Sequence, residues 1–217
     1  MTLIKICGIT NLEDAREAIA AGADMLGFNF YRPSRRFIEP KDCRAIIEEL
    51  RSQSEPSGHE VTMVGVFVNE PSPESLISKA NEAGVDAVQL HGGESVEFCR
   101  HLKIHLKQRS LIKALSVPED FDPQSATAYD VDAILLDAFD AELHGGTGRL
   151  IDWSRACRTR ELVPRLFLAG GLSPGNVADA IVTVRPYAVD ACSSLESTAG
   201  KKNPDRMSEF VRAVRSA

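Results

Sequence analysis

Eight short apolar runs punctuate the chain at nearly even intervals, and none alternates strictly between apolar and polar residues. They are Leu3 to Cys7, Asp24 to Phe30, Val61 to Val68, Asp86 to Leu90, Leu111 to Leu115, Asp132 to Asp137, Arg165 to Ala169 and Tyr187 to Cys192. Continuous apolar runs of this length are the pattern of parallel strands covered on both faces, and parallel neighbours need helical crossovers. Leu3 and Tyr187 lie 184 residues apart, about 26 for each of seven repeats, which is the length of one βα unit.

The segments between the runs carry helix signals. Thr10-Asn11-Leu12-Glu13 reads as a capping box, with the Thr10 oxygen accepting a backbone N–H and Glu13 reaching back. Leu12, Ala15 and Ile19 mark one buried face, and Gly22 suits the stop. Ser72-Pro73, Ser173-Pro174 and Asn203-Pro204 each set a capping residue before a proline at the first helical position. Leu76, Ile77, Ala80 and Val177, Ala180, Ile181, Val184 follow two of them at helical spacing. The polar stretch Arg51 to Glu60 reads as a loop at the amino ends of the strands and not as a domain boundary, because the βα rhythm continues beyond it.

Eight consecutive βα units suit either a closed barrel or an open doubly wound sheet. A dinucleotide-binding sheet places GxGxxG after its first strand, whereas Cys7-Gly8-Ile9-Thr10 follows Ile6 here. The glycine-rich segments lie late instead, where barrels build phosphate sites after strands seven and eight. The expected architecture is a single α/β domain over residues 1–217, a (β/α)8 TIM barrel.

Composition narrows the function. The 43% hydrophobic content supports a large core, and no run approaches the ~20 apolar residues that span a bilayer, so no membrane partner is expected. A net charge of -6 gives no general attraction for nucleic acid. The opening Leu3-Ile4-Lys5-Ile6 lacks the basic region and long apolar stretch of a secretory signal, so a cytoplasmic location is expected. Cysteines at 7, 43, 99, 157 and 192 form no CxxC pair and no disulfide framework; reduced thiols and no metal site are expected.

In a barrel of this kind, polar residues at the carboxyl ends of the strands converge on one mouth. The candidates are Cys7, Asn29, Gln89, His91, Lys113, Asp137 and Asp190. A free cysteine is ordinarily a small buried apolar side chain. Lys5 and Cys7, however, share a strand face about 6–7 Å apart, with Ile4 and Ile6 on the other. If the polar face looks inward, the ammonium favours the thiolate and Cys7 can serve as a base. Asp137 reads either as a loop-capping carboxylate or as a general acid in a partly apolar mouth. Gly145-Gly146-Thr147-Gly148, Ala169-Gly170-Gly171-Leu172 and Ser193-Ser194-Leu195-Glu196 are each readable as tight turns. Together, after strands six, seven and eight, they suit a phosphate held by backbone N–H groups. Arg35 and Arg36 are a solvated turn or a fork for a carboxylate. His91 alone among the five histidines ends a strand, and it ranks below Cys7 and Asp137.

Over essentially its whole length the sequence resembles the phosphoribosylanthranilate isomerase family. The resemblance rests on Lys5-Ile6-Cys7-Gly8-Ile9-Thr10, Gly27-Phe28-Asn29-Phe30, Ser34-Arg35-Arg36-Phe37, Val64-Gly65-Val66-Phe67-Val68-Asn69, Gln89-Leu90-His91-Gly92, Leu135-Leu136-Asp137, Gly145-Gly146-Thr147-Gly148, Leu168-Ala169-Gly170-Gly171-Leu172 and Val189-Asp190. It implies a cofactor-independent Amadori rearrangement of a phosphorylated aminosugar in tryptophan biosynthesis, with Asp137 as acid and Cys7 as base, in a monomer or homodimer. It further implies that Arg36 binds the anthranilate carboxylate and Asp190 a sugar hydroxyl. Gly146, Thr147, Gly148, Gly170, Gly171, Ser193 and Ser194 would bind the phosphate. One position departs from the pattern: Ser194 stands where the family's last loop resembles Ser-Ser-Gly, and its Cβ restricts positive φ. Either the loop shifts or the hydroxyl adds a contact.

Two other readings compete. The histidine-pathway isomerase performs the same rearrangement on a substrate with two phosphates, and needs a second phosphate site after strands three and four. Only Gly92-Gly93 lies near there, and that enzyme ends strand one in aspartate. A catalytically silent phosphate-binding barrel would keep the late loops but have no use for both Cys7 and Asp137.

Overall fold

The eight apolar runs become eight parallel strands that close on themselves in chain order, β8 returning to β1. The computed structural model describes residues 1–52, 60–106, 108–138 and 152–217. The order is β1 (Leu3–Cys7), α1 (Leu12–Ala21), β2 (Met25–Asn29), α2 (Pro40–Ser52), β3 (Thr62–Phe67), α3 (Pro73–Ala83), β4 (Ala87–Leu90), α4 (Val96–His105), β5 (Ser110–Val117) and β6 (Ala133–Ala138). It continues with α5 (Trp153–Leu162), β7 (Leu166–Leu168), α6 (Val177–Val184), β8 (Ala188–Ala191), a small antiparallel pair β9 (Glu196–Thr198) and β10 (Lys201–Lys202), and α7 (Pro204–Arg215). The fold is the expected (β/α)8 barrel. No described helix is long and apolar enough to cross a membrane.

Register sorts each strand into an inner and an outer face. Lys5 pairs with Met25 and with Asp190, so these three look into the barrel, where Met25 joins Val64, Ala87, Ile112, Leu135, Phe167 and Ala188 in one packed cluster. Ile4, Ile6, Leu26, Val88, Leu136 and Val189 look outward and pack under the helices in a second, larger cluster. Burial on both faces is what makes the runs continuous. The same parity corrects one candidate. Lys113 pairs with Leu90 and Ile134, both outward-facing, so it leaves the mouth and lies in the outer layer. There its Nζ donates to Gly92 O at 2.7 Å, Ala114 O at 2.8 Å and Glu94 at 3.0 Å, propping the segment after β4.

A repeated device sets the strand register at the amino ends. Asp24, just before β2, accepts the Ile4 N–H of β1 at 2.7 Å. Asp86, before β4, accepts Met63 N–H of β3 at 2.9 Å, and Asp132, before β6, accepts Leu111 N–H of β5 at 2.7 Å. Each aspartate satisfies a donor at the start of the preceding strand. Asp24 also takes Arg215 Nη2 from α7 at 2.9 Å, tying the last helix to the first hairpin of elements.

Most helix signals hold, with three corrections. Gly22 ends α1 with φ 105°, and Ser72 and Asn203 cap α3 and α7 as expected. At α1 the capping residue is Asn11, which accepts Asp14 N–H; Thr10 instead donates its hydroxyl to Gly200 O at 2.7 Å, and Glu13 pairs with Lys201. Thr10 and Glu13 are recruited by the β9–β10 pair, a long-range partner that local spacing does not reveal. Ser173-Pro174 opens a turn, and α6 starts three residues later at Val177. Between β5 and β6 the described chain holds a 3-10 turn, Pro123–Ala128, where the repeat led one to expect an α-helix. Of the polar stretch Arg51 to Glu60, expected as a loop, Arg51 and Ser52 still belong to α2, and residues 53–59 lie outside the described residues.

Replacing Asp24 with Ala leaves the buried Ile4 N–H unsatisfied and removes the ion-pair partner of Arg215, which keeps its bonds to Thr2 O and Gly22 O, and is expected to cost about 1–3 kcal/mol of stability. Urea unfolding checks this; Asp86→Ala, at a less buried site, should cost less. Turnover of the folded variant should be unchanged, because the device sits at the opposite end from the mouth.

Candidate active site

The carboxyl ends of the strands surround a cavity of about 530 Å³. Cys7, Asn29, Arg36, His91, Asp137, Asp190, Gly170, Gly171, Ser193 and Ser194 all line it. Of the mouth candidates, Gln89 lies beneath it, fully buried, and Lys113 is turned away. Arg35 is exposed and takes no part, so the structure separates the two adjacent arginines. Gly146, Thr147 and Gly148 lie outside the described residues.

The β1–β8 seam supplies one side of the cavity. Lys5 Nζ, fully buried, donates to Asp190 Oδ2 at 2.9 Å. Two residues further along, on the same faces, come Cys7 and Cys192. Hydrogen bonding with the Cys192 side chain, then the Lys5 and Lys202 ammonium groups, hold Cys7 well below the ordinary thiol range despite its burial; the Cys192 sulfur itself lies 3.9 Å from Glu196 Oε1 and 3.8 Å from Lys202 Nζ. The same hydrogen bond, then burial, pushes the Cys192 thiol well up. The expectation that Lys5 favours the Cys7 thiolate therefore has the right sign, but Cys192 contributes more. Its signal was present in the sequence: Asp190 and Cys192 alternate on β8 as Lys5 and Cys7 do on β1. Burial pushes Asp190 up to about 7, against the pull of Lys5. Asp190 Oδ1 is buried and meets no hydrogen-bond partner among the described residues.

Asp137, three strands around the barrel, ends β6. Its Oδ1 accepts its neighbour's N–H, Ala138, at 2.8 Å, the local bond expected of a capping aspartate. Its Oδ2 nevertheless lies 3.2 Å from His91 Nε2, so it also belongs to the mouth. Gln89 Nε2 lies 2.8 Å from His91 Nδ1. With the Gln89 amide donating, Nδ1 is the acceptor and the proton sits on Nε2, facing Asp137. Gln89 Oε1 has no partner among the described residues. Turning the amide over would present that oxygen to a protonated Nδ1, so Gln89 can serve either charge state. Burial works against the imidazolium, but the hydrogen bond and charge of Asp137 outweigh it and raise the His91 pKa. His91 thus takes the mouth position expected of it and gains a partner, Asp137, that the sequence did not show. The clue was that Gln89 and His91 are two residues apart and share the inner face.

Arg36 meets Glu196 through Nε and Nη2, both at 2.8 Å, a fork that does not use Nη1. Glu196 also takes Lys202 Nζ at 3.1 Å. The Glu196 hydrogen bond keeps the guanidinium charged, and the loop after β2 aims it across the cavity wall formed after β8.

The late loops supply the far wall. Gly170 and Gly171 both have positive φ, 79° and 69°, and a Cβ on Gly170 would stand 2.5 Å from Ala138 N, so only glycine fits. Asn176 pins this loop, accepting Ser173 N–H at 2.8 Å and donating to Gly171 O at 3.0 Å. No acceptor among the described residues takes the N–H of Gly171, Ser193 or Ser194. Three free donors on one wall suit an anion. Ser194 lies within the 3-10 turn Ser193–Leu195 without positive φ, and its hydroxyl donates to Leu172 O. The serine is accommodated without strain, and its contact joins the two loops.

A closed barrel with a thiol held well below its ordinary range, a carboxyl group and backbone donors without described acceptors around one cavity suits acid-base chemistry on an anionic ligand. Comparison with known proteins narrows the class. The family model of N-(5'-phosphoribosyl)anthranilate isomerase matches residues 4–213. The enzyme of that name from Thermotoga neapolitana is 42% identical over 215 residues, 99% of either chain. The crystal structure of phosphoribosyl anthranilate isomerase from Thermotoga maritima superposes with a TM-score of 0.88 at 41% identity, covering all of both chains. Another structure of the enzyme, in complex with reduced 1-(o-carboxyphenylamino)-1-deoxyribulose 5-phosphate, gives 0.83 at 40% identity, again over all of both chains. The chain belongs to the phosphoribosylanthranilate isomerase family.

The rate of Cys7 alkylation by iodoacetamide is expected to rise with pH through a midpoint below the ordinary thiol value of about 8.5. Cys192→Ala should move that midpoint up, since the largest force holding Cys7 down is lost. A midpoint unmoved by the substitution would show that Cys192 does not tune Cys7.

Proposed function

We propose that the cavity isomerises N-(5'-phosphoribosyl)anthranilate to 1-(2-carboxyphenylamino)-1-deoxyribulose 5-phosphate, a step of tryptophan biosynthesis, by general acid-base catalysis. Asp137 protonates the furanose ring oxygen as the bond from that oxygen to C1 breaks, which opens the sugar to a Schiff base. The positive imine acidifies the proton on C2, and the Cys7 thiolate removes it. The enolamine then takes a proton at C1 while its 2-hydroxyl releases one, leaving the ketone. C1 is reduced and C2 oxidised within one molecule, so the electrons balance without a cofactor. The observation that carries this reading is a thiol held well below its ordinary range and a hydrogen-bonded carboxyl group, both lining one cavity of about 530 Å³.

The surrounding residues fit the rest of the substrate. His91 orients the Asp137 carboxyl group; Asp190, with one oxygen unpartnered, takes a sugar hydroxyl. Arg36 offers the anthranilate carboxylate a charge-assisted donor. Gly170, Gly171, Ser193 and Ser194 hold the phosphate, and Gly146, Thr147 and Gly148 complete its site. Against the two-phosphate rival stands the segment after β4. Gly92 N–H goes to Glu94 at 3.0 Å, Gly93 N–H to Asn69 Oδ1 at 2.8 Å and Asn69 N–H to Glu94 at 2.8 Å. The donors a second phosphate would need are already spent.

Substrate fluorescence should decay in the presence of the protein, and an unchanged rate would refute the enzyme reading. Cys7→Ser and Asp137→Asn should each lower kcat by about 10²-fold or more, the usual worth of a positioned acid or base. Near-normal turnover by either removes that residue from proton transfer. Arg36→Met should act mainly on KM, raising it about tenfold for the loss of one charge-assisted contact.

A further inference from the structure

We propose that Cys7 and Cys192 form a reversible dithiol–disulfide site at the mouth, oxidised by hydroperoxides, that removes the base from the cavity. The register of the β1–β8 seam carries the argument. Ile6 and Ala191 are paired across it, and Cys7 and Cys192 are the next residues along each chain. Neighbouring parallel strands lie about 4.8 Å apart, inside the roughly 4.4–6.8 Å that Cα atoms span in a disulfide. The side chains point the same way, since Lys5 and Asp190, two residues back on the same faces, touch at 2.9 Å. Both cysteines line the cavity and both are partly exposed, so an oxidant small enough to enter reaches them. The other three lack this combination: Cys43 and Cys99 are buried, and Cys157 lies on α5 away from the cavity.

The chemistry divides as the environments do. The Cys7 thiolate attacks the terminal oxygen of a hydroperoxide, the O–O bond breaks, the sulfur keeps the O–H as a sulfenic acid, and the alkoxide departs and takes a proton from water to become an alcohol. Cys192, still carrying its proton, is beside it. As it loses that proton its sulfur displaces the sulfenic oxygen, the S–S bond forms and water leaves. Two electrons pass from the pair of sulfurs to the peroxide. Lys202 Nζ, 3.8 Å from Cys192 Sγ, stabilises the sulfur as it deprotonates. Cys192 also protects: without it the Cys7 sulfenic acid is free to climb to sulfinic and sulfonic acids, which thiols do not reverse.

The effect on turnover rests on Cys7 being the base; formation of the bond does not, and the two are measured separately. The native protein is treated with tert-butyl hydroperoxide, digested with trypsin without reduction and analysed by mass spectrometry. The expected product links peptide Ile6–Arg16 to peptide Leu166–Lys201, with loss of two hydrogens. Activity should fall with the same time course and return with dithiothreitol. In Cys192→Ser, peroxide should instead add two or three oxygens to Cys7, and dithiothreitol should restore nothing. Free thiols at both positions after treatment, or over-oxidation of Cys7 in the native protein, would overturn the proposal. Disulfide formation with activity unaffected would leave the site standing and remove Cys7 from the reaction.

Discussion

The buried contact between Lys5 and Asp190 is the constraint on which the rest of the site depends. An ammonium with no access to water must be paired, and removal of one partner alone from such a pair typically costs several kcal/mol. Of the two neighbours of β1, β2 sets Met25 beside Lys5 and β8 sets Asp190 there, so the ion pair ties the first strand to the last. That closure also fixes what comes two residues later. Cys7 is set above a permanent positive charge, Cys192 beside it, and the loop that follows Cys192 is delivered to the anion wall.

Two polar systems then face each other across an apolar barrel. One is sulfur-bearing, built from Cys7 and Cys192 with the Lys5–Asp190 and Lys202–Glu196 ion pairs; the other is Asp137 with His91 and Gln89. Cys7 on β1 and Asp137 on β6 are three strands apart around the barrel, and the cavity lies between them. Arg36 and Glu196 form a third system at the rim, where a carboxylate ligand would compete with, or share, an existing ion pair.

The strands were legible because burial on both faces leaves a mark at every residue. Cys7, Asp137 and Asp190 were legible for a related reason: the first two are polar residues ending apolar runs, and Asp190 is the polar residue inside one. What escaped was set by partners distant in sequence. Thr10 looked like a cap until Gly200, 190 residues on, claimed its hydroxyl. Lys113 looked like a mouth residue because its inward or outward sense depends on the register of β5 against β4 and β6, which a run of apolar neighbours does not disclose. His91 was underrated because its value comes from Asp137, 46 residues away. Ser194 raised a conformational difficulty that vanished once its turn proved to need no positive φ.

The aspartates at 24, 86 and 132 carry an implication for how the chain finds its shape. Each closes a contact across only 20, 23 or 21 residues, so β1 with β2, β3 with β4 and β5 with β6 can register locally, at small loop-closure cost. The Lys5–Asp190 contact spans 185 residues and has no such local route. Closure cost is therefore small for the strand pairs and largest at the seam, so the charged surroundings of the Cys7 thiol depend on the contact between the two ends of the chain.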